Sequence, residues 1–231
     1  MAIIKVGHRG ASGYEPENTL RAFKKAVSVG ADMIELDVRV CKSGELVIMH
    51  DDKLNRTTNG RGKVENKTLE ELKGLKMAKN QRIPTLEEVL DLIEGKIKIN
   101  IELKGKNTAM PVRAVIEERV EKDGWDYDDF LISSFHHKEL RKFKRMSPEI
   151  RIGVLTEMIP PRLLSFAKRI KAYSVNAPED KIDEKFVKKA HKKGLKVFVY
   201  AANESHEIDR AKKLKVDYIC SNFPDKIHPI K

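Results

Sequence analysis

Eight short apolar runs rich in Val and Ile, separated by seven amphipathic stretches, predict an α/β protein folded as a (β/α)8 TIM barrel with a small insertion after the second strand. The length agrees, since 231 residues with 40% hydrophobic content suit one large core better than two small ones. The third observation is where ionisable groups fall. They end or occupy four runs, Val6-Gly7-His8-Arg9, Glu35-Leu36-Asp37, Val47-Ile48-Met49-His50 and Ile101-Glu102-Leu103-Lys104, and the C-terminal strand ends are where a barrel collects ligands. A doubly wound open sheet is the alternative. It would favour one glycine-rich turn, which Gly7-x-x-Gly10-x-x-Gly13 matches poorly.

The first strand is expected over 3–7 and the first helix over 19–29, capped by Asn18 and followed by Gly30. The second strand, 33–38, places Glu35 and Asp37 on one face because side chains two apart in a strand point the same way. Residues 41–84 break the alternation with a turn at Lys42-Ser43-Gly44, a strand over 46–49, a polar stretch over 51–63 and a short helix over 69–73. This segment is expected to cap the barrel mouth within a single domain spanning 1–231. Alternation resumes with a helix over 86–93, started by Thr85 and stopped near Gly95, then a strand over 97–103.

Helix 110–122 carries Pro111 in its first turn and is followed by Gly124. Strand 130–133, helix 138–146, strand 152–155 and helix 162–170 follow, with Pro161 expected in the first turn of the last. Strand 172–175, helix 184–192 with Gly194 behind it, strand 197–200, helix 205–214 and strand 218–220 complete the count. Eleven residues then remain, too few for a full closing helix.

The formal charge of +11 could signal nucleic acid, but basic residues are scattered and aromatics amount to 6% without basic-aromatic interleaving. The expected reading is solvated helix faces whose field draws in a small anionic substrate, with no nucleic-acid partner. No apolar stretch reaches 18 residues and the first strand begins almost at Met1, so no stable membrane insertion and a cytoplasmic location are expected. Cys41 and Cys220 sit in or beside apolar runs, as buried thiols do. Composition leaves the oligomeric state open.

Glu35, Asp37 and Glu102 gathered in one mouth would repel unless a cation or protons compensate. An all-oxygen donor set favours Mg²⁺ or Ca²⁺, with Mn²⁺ possible, over zinc. The competing expectation pairs these carboxylates with Arg9, Arg39 and Lys104 as salt bridges. His8 and His50, each ending a run, can serve as general acid and base on opposite sides of a reacting centre. His136, His137, His191, His206 and His228 are expected at the surface. Arg9 and Lys104 beside a metal describe a phosphoryl clamp, and two imidazoles fit a phosphodiester, whose hydrolysis needs one alcohol activated and another protonated.

His8-Arg9-Gly10, Pro16-Glu17-Asn18-Thr19, the run from Gly30 to Val38, His50-Asp51 with Arg56-Thr57-Thr58 and Gly60, and Asn100-Ile101-Glu102-Leu103-Lys104 keep order and spacing. In these segments the chain resembles the glycerophosphodiester phosphodiesterases. The resemblance implies a TIM barrel with an insertion after the second strand, a divalent cation on Glu35, Asp37 and Glu102, His8 and His50 as acid and base, and phosphate contacts from Arg9 and Lys104. It further implies cleavage of deacylated phospholipids to glycerol 3-phosphate and an alcohol, by direct water attack or through a cyclic phosphate.

The second half departs from the family pattern. Where the family carries Trp-Thr and then Asn after the seventh strand, this chain has Tyr200-Ala201-Ala202-Asn203; where it carries Thr-Asp before Pro, this chain has Ser221-Asn222-Phe223-Pro224. Tyr200 is expected to stack on a glycerol face, Asn203 to bond a hydroxyl, and Phe135 to line the pocket. One alternative is lysophospholipase D-type activity, with Tyr14, Met77, Met158 and Ile159 lining an apolar channel. A noncatalytic phosphate-binding barrel is the other, with a nonspecific nuclease behind both.

Overall fold

The computed structural model describes residues 3–228, and within them eight parallel strands close into a barrel. These are β1 (Ile4–Gly7), β2 (Met33–Val40), β4 (Lys98–Leu103), β5 (Phe130–Ser134), β6 (Arg151–Leu155), β7 (Ser174–Pro178), β8 (Lys196–Tyr200) and β9 (Tyr218–Ser221). A short strand β3 (Leu46–Ile48) adds antiparallel to the end of β2. Pairing of β1 with both β9 and β2 completes the ring. Crossover helices α1 (Leu20–Ser28), α3 (Leu86–Ile93), α4 (Ala109–Lys122), α5 (His137–Met146), α6 (Leu163–Arg169), α7 (Glu184–Lys192) and α8 (Ser205–Lys213) cover the outside. The ring follows from the strand pattern: parallel strands must be buried on both faces, so every edge has to be paired or covered.

The two faces of each strand do different work. Ile34, Leu36 and Val38 of β2, with Ile99, Ile101 and Leu103 of β4, point outward into the large core shared with the helices. Their neighbours in sequence point into the barrel, where Val6, Met33, Leu131, Phe198, Tyr218 and Cys220 fill the lower interior. Above that floor the inward positions turn polar, which puts Glu35, Asp37 and Glu102 just beneath the mouth.

Residues 41–84 lie on the mouth side and carry a small core of their own, built on Val47, Met49, Leu54, Val64, Leu72 and Ile83. Helix α2 (Leu69–Gly74) begins with a capping box, Thr68 with Glu71, and Thr85 with Glu88 does the same for α3. Lys79 ties this segment to the β1–α1 loop through Glu15 (2.8 Å) and the Tyr14 carbonyl (3.0 Å).

Four local expectations change. Thr19, not Asn18, caps α1, because Asn18 is drawn away to a carboxylate described below. The sixth barrel strand, β7, runs to Pro178 rather than stopping at Val175, since Asn176 faces the interior and its Oδ1 accepts from Ser174 Oγ at 2.6 Å. Pro161 lies two residues before α6, not inside its first turn. His137 is not a free surface group, because its Nε2 lies 2.9 Å from the Leu155 carbonyl and its ring packs on Phe166. After β9 there is one short 3-10 turn, Pro224–Lys226, in place of a closing helix. Among the described residues no helix is long and apolar enough to cross a membrane.

Candidate active site

Two adjacent strands bring the carboxylates together. Glu35 and Asp37 share the inner face of β2, and Glu102 stands opposite Asp37 in the β2–β4 register. One oxygen from each lies within 4.8 Å of the others, and all three side chains are buried. Burial and then the charges of Asp37 and Glu102 push Glu35 well above the ordinary carboxylate range. Burial, with Asp37 next, pushes Glu102 up to about 7. Asp37 Oδ1 is buried without a hydrogen-bond donor. A crowded oxygen cluster with an orphan acceptor fits a divalent cation, which would reverse the penalty that raises both Glu residues.

The chain around β1 is shaped to reach this cluster. Arg9 and Gly10 both have positive φ, 52° and 82°, and a Cβ on Gly10 would lie 2.6 Å from the Ala22 backbone, so only glycine lets the loop pass beneath α1. Arg9 holds its unfavourable conformation because its N–H donates to Glu35 Oε2 at 2.8 Å. Its Nε lies 3.5 Å from Asp37 Oδ2 without completing a hydrogen bond. Asn18, also at positive φ (56°), donates from Nδ2 to Asp37 Oδ2 at 2.8 Å. Lys104 Nζ sits 2.8 Å from Glu102 and 3.8 Å from Asp37.

Both histidines are oriented through Nδ1. His8 Nδ1 lies 2.7 Å from Asn222 Oδ1, which also accepts from Ser12 Oγ at 2.9 Å. An amide oxygen only accepts, so the His8 proton sits on Nδ1 and Nε2 keeps its lone pair. Burial, and then the Arg9 charge, lower His8 to about 4, so this ring is neutral at pH 7. His50 Nδ1 lies 2.7 Å from Asp51 Oδ1, and the His50 carbonyl accepts from Arg39 Nη2 at 2.6 Å. Asp51 is paired with Arg56, Arg56 with Glu17 through two bonds of 2.7 and 2.8 Å, and Glu17 with Arg9 at 2.8 Å. A continuous ion-pair chain thus joins the insertion's histidine to the arginine over the carboxylates.

Both histidines, Arg9, Lys104, Glu35 and Glu102 line one cavity of about 510 Å³. Its wall divides into a charged arc from β1 to β4, carrying His8, Arg9, Glu35, Arg39, His50, Glu102 and Lys104, and a more apolar arc from β5 to β9, carrying Phe135, Leu155, Pro178, Phe198, Tyr200 and Cys220 with Ser133, His136 and Glu157 among them. Lys104 Nζ stands 5.6 Å from the Phe135 ring centre, and Phe135 meets Tyr200 edge to face at 6.2 Å.

Residues 8–226 match the model of the Glycerophosphoryl diester phosphodiesterase family. The chain belongs to this family. This family member is 38% identical to a glycerophosphodiester phosphodiesterase of Caldanaerobacter subterraneus subsp. tengcongensis, over 98% of the chain and 97% of that relative. It is 36% identical to a glycerophosphodiester phosphodiesterase of Bacillus altitudinis, over 97% and 96%. Among solved structures, a phosphodiesterase of Oleispira antarctica in complex with the product sn-glycerol-3-phosphate superposes with a TM-score of 0.89 at 30% identity, covering 96% of this chain and 94% of that one. The protein is therefore an enzyme, a phosphoric diester hydrolase of this family.

Of the residues expected at the site, two are absent from the cavity lining: Asp37, buried behind Glu35 and Glu102 in the carboxylate cluster, and Asn203. The Asn203 Oδ1 accepts from the Asn222 N–H at 2.8 Å, one step behind His8. Tyr200 lines the cavity but donates its hydroxyl to the Thr156 carbonyl at 2.8 Å. Arg39 does not pair with the carboxylates, and of the expected salt-bridge set Lys104 with Glu102 is the close contact. Tyr14, Met77, Met158 and Ile159 do not line the cavity, and Met77 is buried in the insertion core. Sequence reading missed Asn18, Asn222, Glu17 and Arg56. Asn18 had a signal in its motif, but the Thr beside it is an equally good cap; Asn222 registered only as a missing carboxylate.

Proposed function

We propose that the protein hydrolyses small glycerophosphodiesters to glycerol 3-phosphate and an alcohol, with His8 and His50 sharing the general-base and general-acid roles. The supporting observation is that two Nδ1-anchored imidazoles, two cations and three buried carboxylates converge on one cavity large enough for a substrate of that size. Glu35, Asp37 and Glu102 would hold one divalent cation, with Mg²⁺, Ca²⁺ or Mn²⁺ suited to oxygen ligands. When bound, it supplies Lewis-acid stabilisation of the charge that develops at phosphorus.

Arg9 and Lys104 bind the nonbridging oxygens and fix the phosphate against the charged arc. One imidazole Nε2 accepts the proton of the attacking hydroxyl and the other donates a proton to the departing alkoxide, so that overall one water is consumed. Phe135 and Tyr200 offer an apolar face for substrate carbon, while Asn203 acts through Asn222 on His8. Cys41 and Cys220, both free and buried, suit a reducing cytoplasm.

The test is incubation with several glycerophosphodiesters, with and without chelator, identifying glycerol 3-phosphate as product. A phosphorylated headgroup would mean cleavage on the other side of phosphorus. Glu102→Gln should abolish metal-dependent turnover while leaving the circular dichroism spectrum and the melting transition in place. Undiminished activity in that variant removes Glu102 from the metal site.

A further inference from the structure

Outside the cavity, positive charge gathers on helix α5. It holds Lys138, Arg141, Lys142, Lys144 and Arg145 against one acid, Glu139, whose carboxylate accepts from the Ala109 N–H at 3.3 Å. Lys138 with Lys142, and Arg141 with Arg145, are like charges four residues apart, a spacing that destabilises a helix. Other helices do the opposite: Arg113 pairs with Glu117 at 2.6 Å and Lys122 with Glu118 at 3.0 Å in α4, and Lys188 with Glu184 at 2.6 Å in α7. Among the described residues, no cation of α5 has a carboxylate partner.

A second cleft, of about 440 Å³, opens between the second half of α5 and the end of α6. Arg141, Lys144, Arg145, Arg169 and Lys171 line it, Pro148 and Ile170 complete the wall, and no carboxylate stands on it. The crossover helices run back from the mouth, so this cleft lies toward the far end of the barrel, away from His8 and the carboxylate cluster. One of the five cations has a structural task. Lys144 Nζ donates to the Pro148 and Ile150 carbonyls at 2.7 and 2.8 Å and so holds the turn that follows α5. Burial lowers the Lys144 pKa, and the Lys171 charge adds to that against the pull of Glu149. The other four are exposed and without an ion partner, with Arg169 lying over the Phe166 ring at 5.7 Å. Cations crowded around a concave wall with no opposing charge focus a positive field into it.

We propose that this cleft binds a small molecule carrying two or more phosphoryl groups, held by Arg141, Arg145, Arg169 and Lys171, at a site separate from the catalytic cavity. Guanidinium groups bond phosphate oxygens in pairs, and three of them with a lysine match a multiply charged anion better than orthophosphate. The wall disfavours larger partners. It carries no aromatic ring on which the bases of a single strand could stack. It also offers no large apolar side chain to enter a lipid surface, since those that the described residues expose, Tyr14, Met110 and Met158, lie on other elements.

The test titrates the full chain, without added metal, with tripolyphosphate in a calorimeter. One equivalent should bind, and orthophosphate should bind about tenfold or more weakly. The double variant Arg141→Ser/Arg169→Ser should weaken tripolyphosphate binding by about tenfold or more, the size of two lost charge-assisted contacts, while keeping its melting temperature and its kcat/KM on glycerophosphodiesters. Lys171→Ser, a change at one exposed side chain, should weaken it about threefold and carries the test if the double variant fails to fold. Lys104→Ala, in the catalytic cavity, should leave the binding unchanged. Binding lost in Lys104→Ala but kept in the double variant would put the anion in the catalytic cavity and overturn the proposal, as would no binding at millimolar tripolyphosphate or equal affinity for orthophosphate. Binding of phosphatidylglycerol vesicles or of an oligothymidylate, without binding of tripolyphosphate, would assign these cations to a macromolecular surface and equally refute it.

Discussion

Glu17→Gln removes the one carboxylate that joins Arg9 to Arg56, and its cost can be worked from the structure. Burial would raise the Glu17 pKa, but the Arg56 hydrogen bonds, with the Arg9 charge behind them, overcome it and hold the group at about 2 against an ordinary 4.5. At 1.4 kcal/mol per tenfold, that difference is about 3 kcal/mol at pH 7. With 22% of the side chain exposed, solvent screening brings it to about 2 kcal/mol. For a chain of this size the melting point should fall by about 4–8 °C. Because the folded pKa is depressed, this stability is present above the unfolded value of 4.5 and is lost as pH falls toward about 2. Denaturant melts of both proteins from pH 7 downward should therefore show a constant gap to about pH 4.5 and a narrowing one below it. Arg56 then keeps its bonds to Asp51 but loses its tie to Arg9, so the pair that orients His50 is braced from one side only, and kcat should drop about tenfold or more with the fold intact. A variant equally stable at pH 7, or a gap that persists undiminished in acid, would refute the bracing role of Glu17.

Asn222→Ala leaves the His8 Nδ1–H without its acceptor, and should lower kcat about tenfold or more while leaving divalent-cation affinity measured by calorimetry unchanged; an unchanged kcat would sink the orienting role of Asn222. Gly10→Ala forces a Cβ to 2.6 Å from the Ala22 backbone at a φ of +82°, so it should destabilise by about 2 kcal/mol or more in denaturant melts. A loss below about 0.5 kcal/mol would show that the loop can move off α1.

The barrel and its carboxylate face were written locally. Strand alternation alone puts Glu35 with Asp37 and Glu102 with Lys104 on the inner face, because the side-chain period of a strand is two residues. The Val and Ile between them, buried on the other face, fix that register, since a slip by one residue would turn the charges into the helix layer. The closing strand, Ser221-Asn222, was legible as a strand end but not as a histidine support. That pairing spans 214 residues and depends on β9 lying beside β1. Asn18 failed for a related reason, because a local cap and a distant carboxylate compete for the same amide and only the folded loop decides between them.

The sequence by itself determined the order of elements, the inward carboxylates and the presence of two histidines and two cations at strand ends, all consequences of local periodicity and residue type. Only the tertiary structure decided which partner each one meets: Asn222 for His8, Asp51 for His50, and Glu17 between two arginines. Those assignments depend on barrel closure, which sets residues far apart in sequence within hydrogen-bond reach, and no local pattern encodes such a distance.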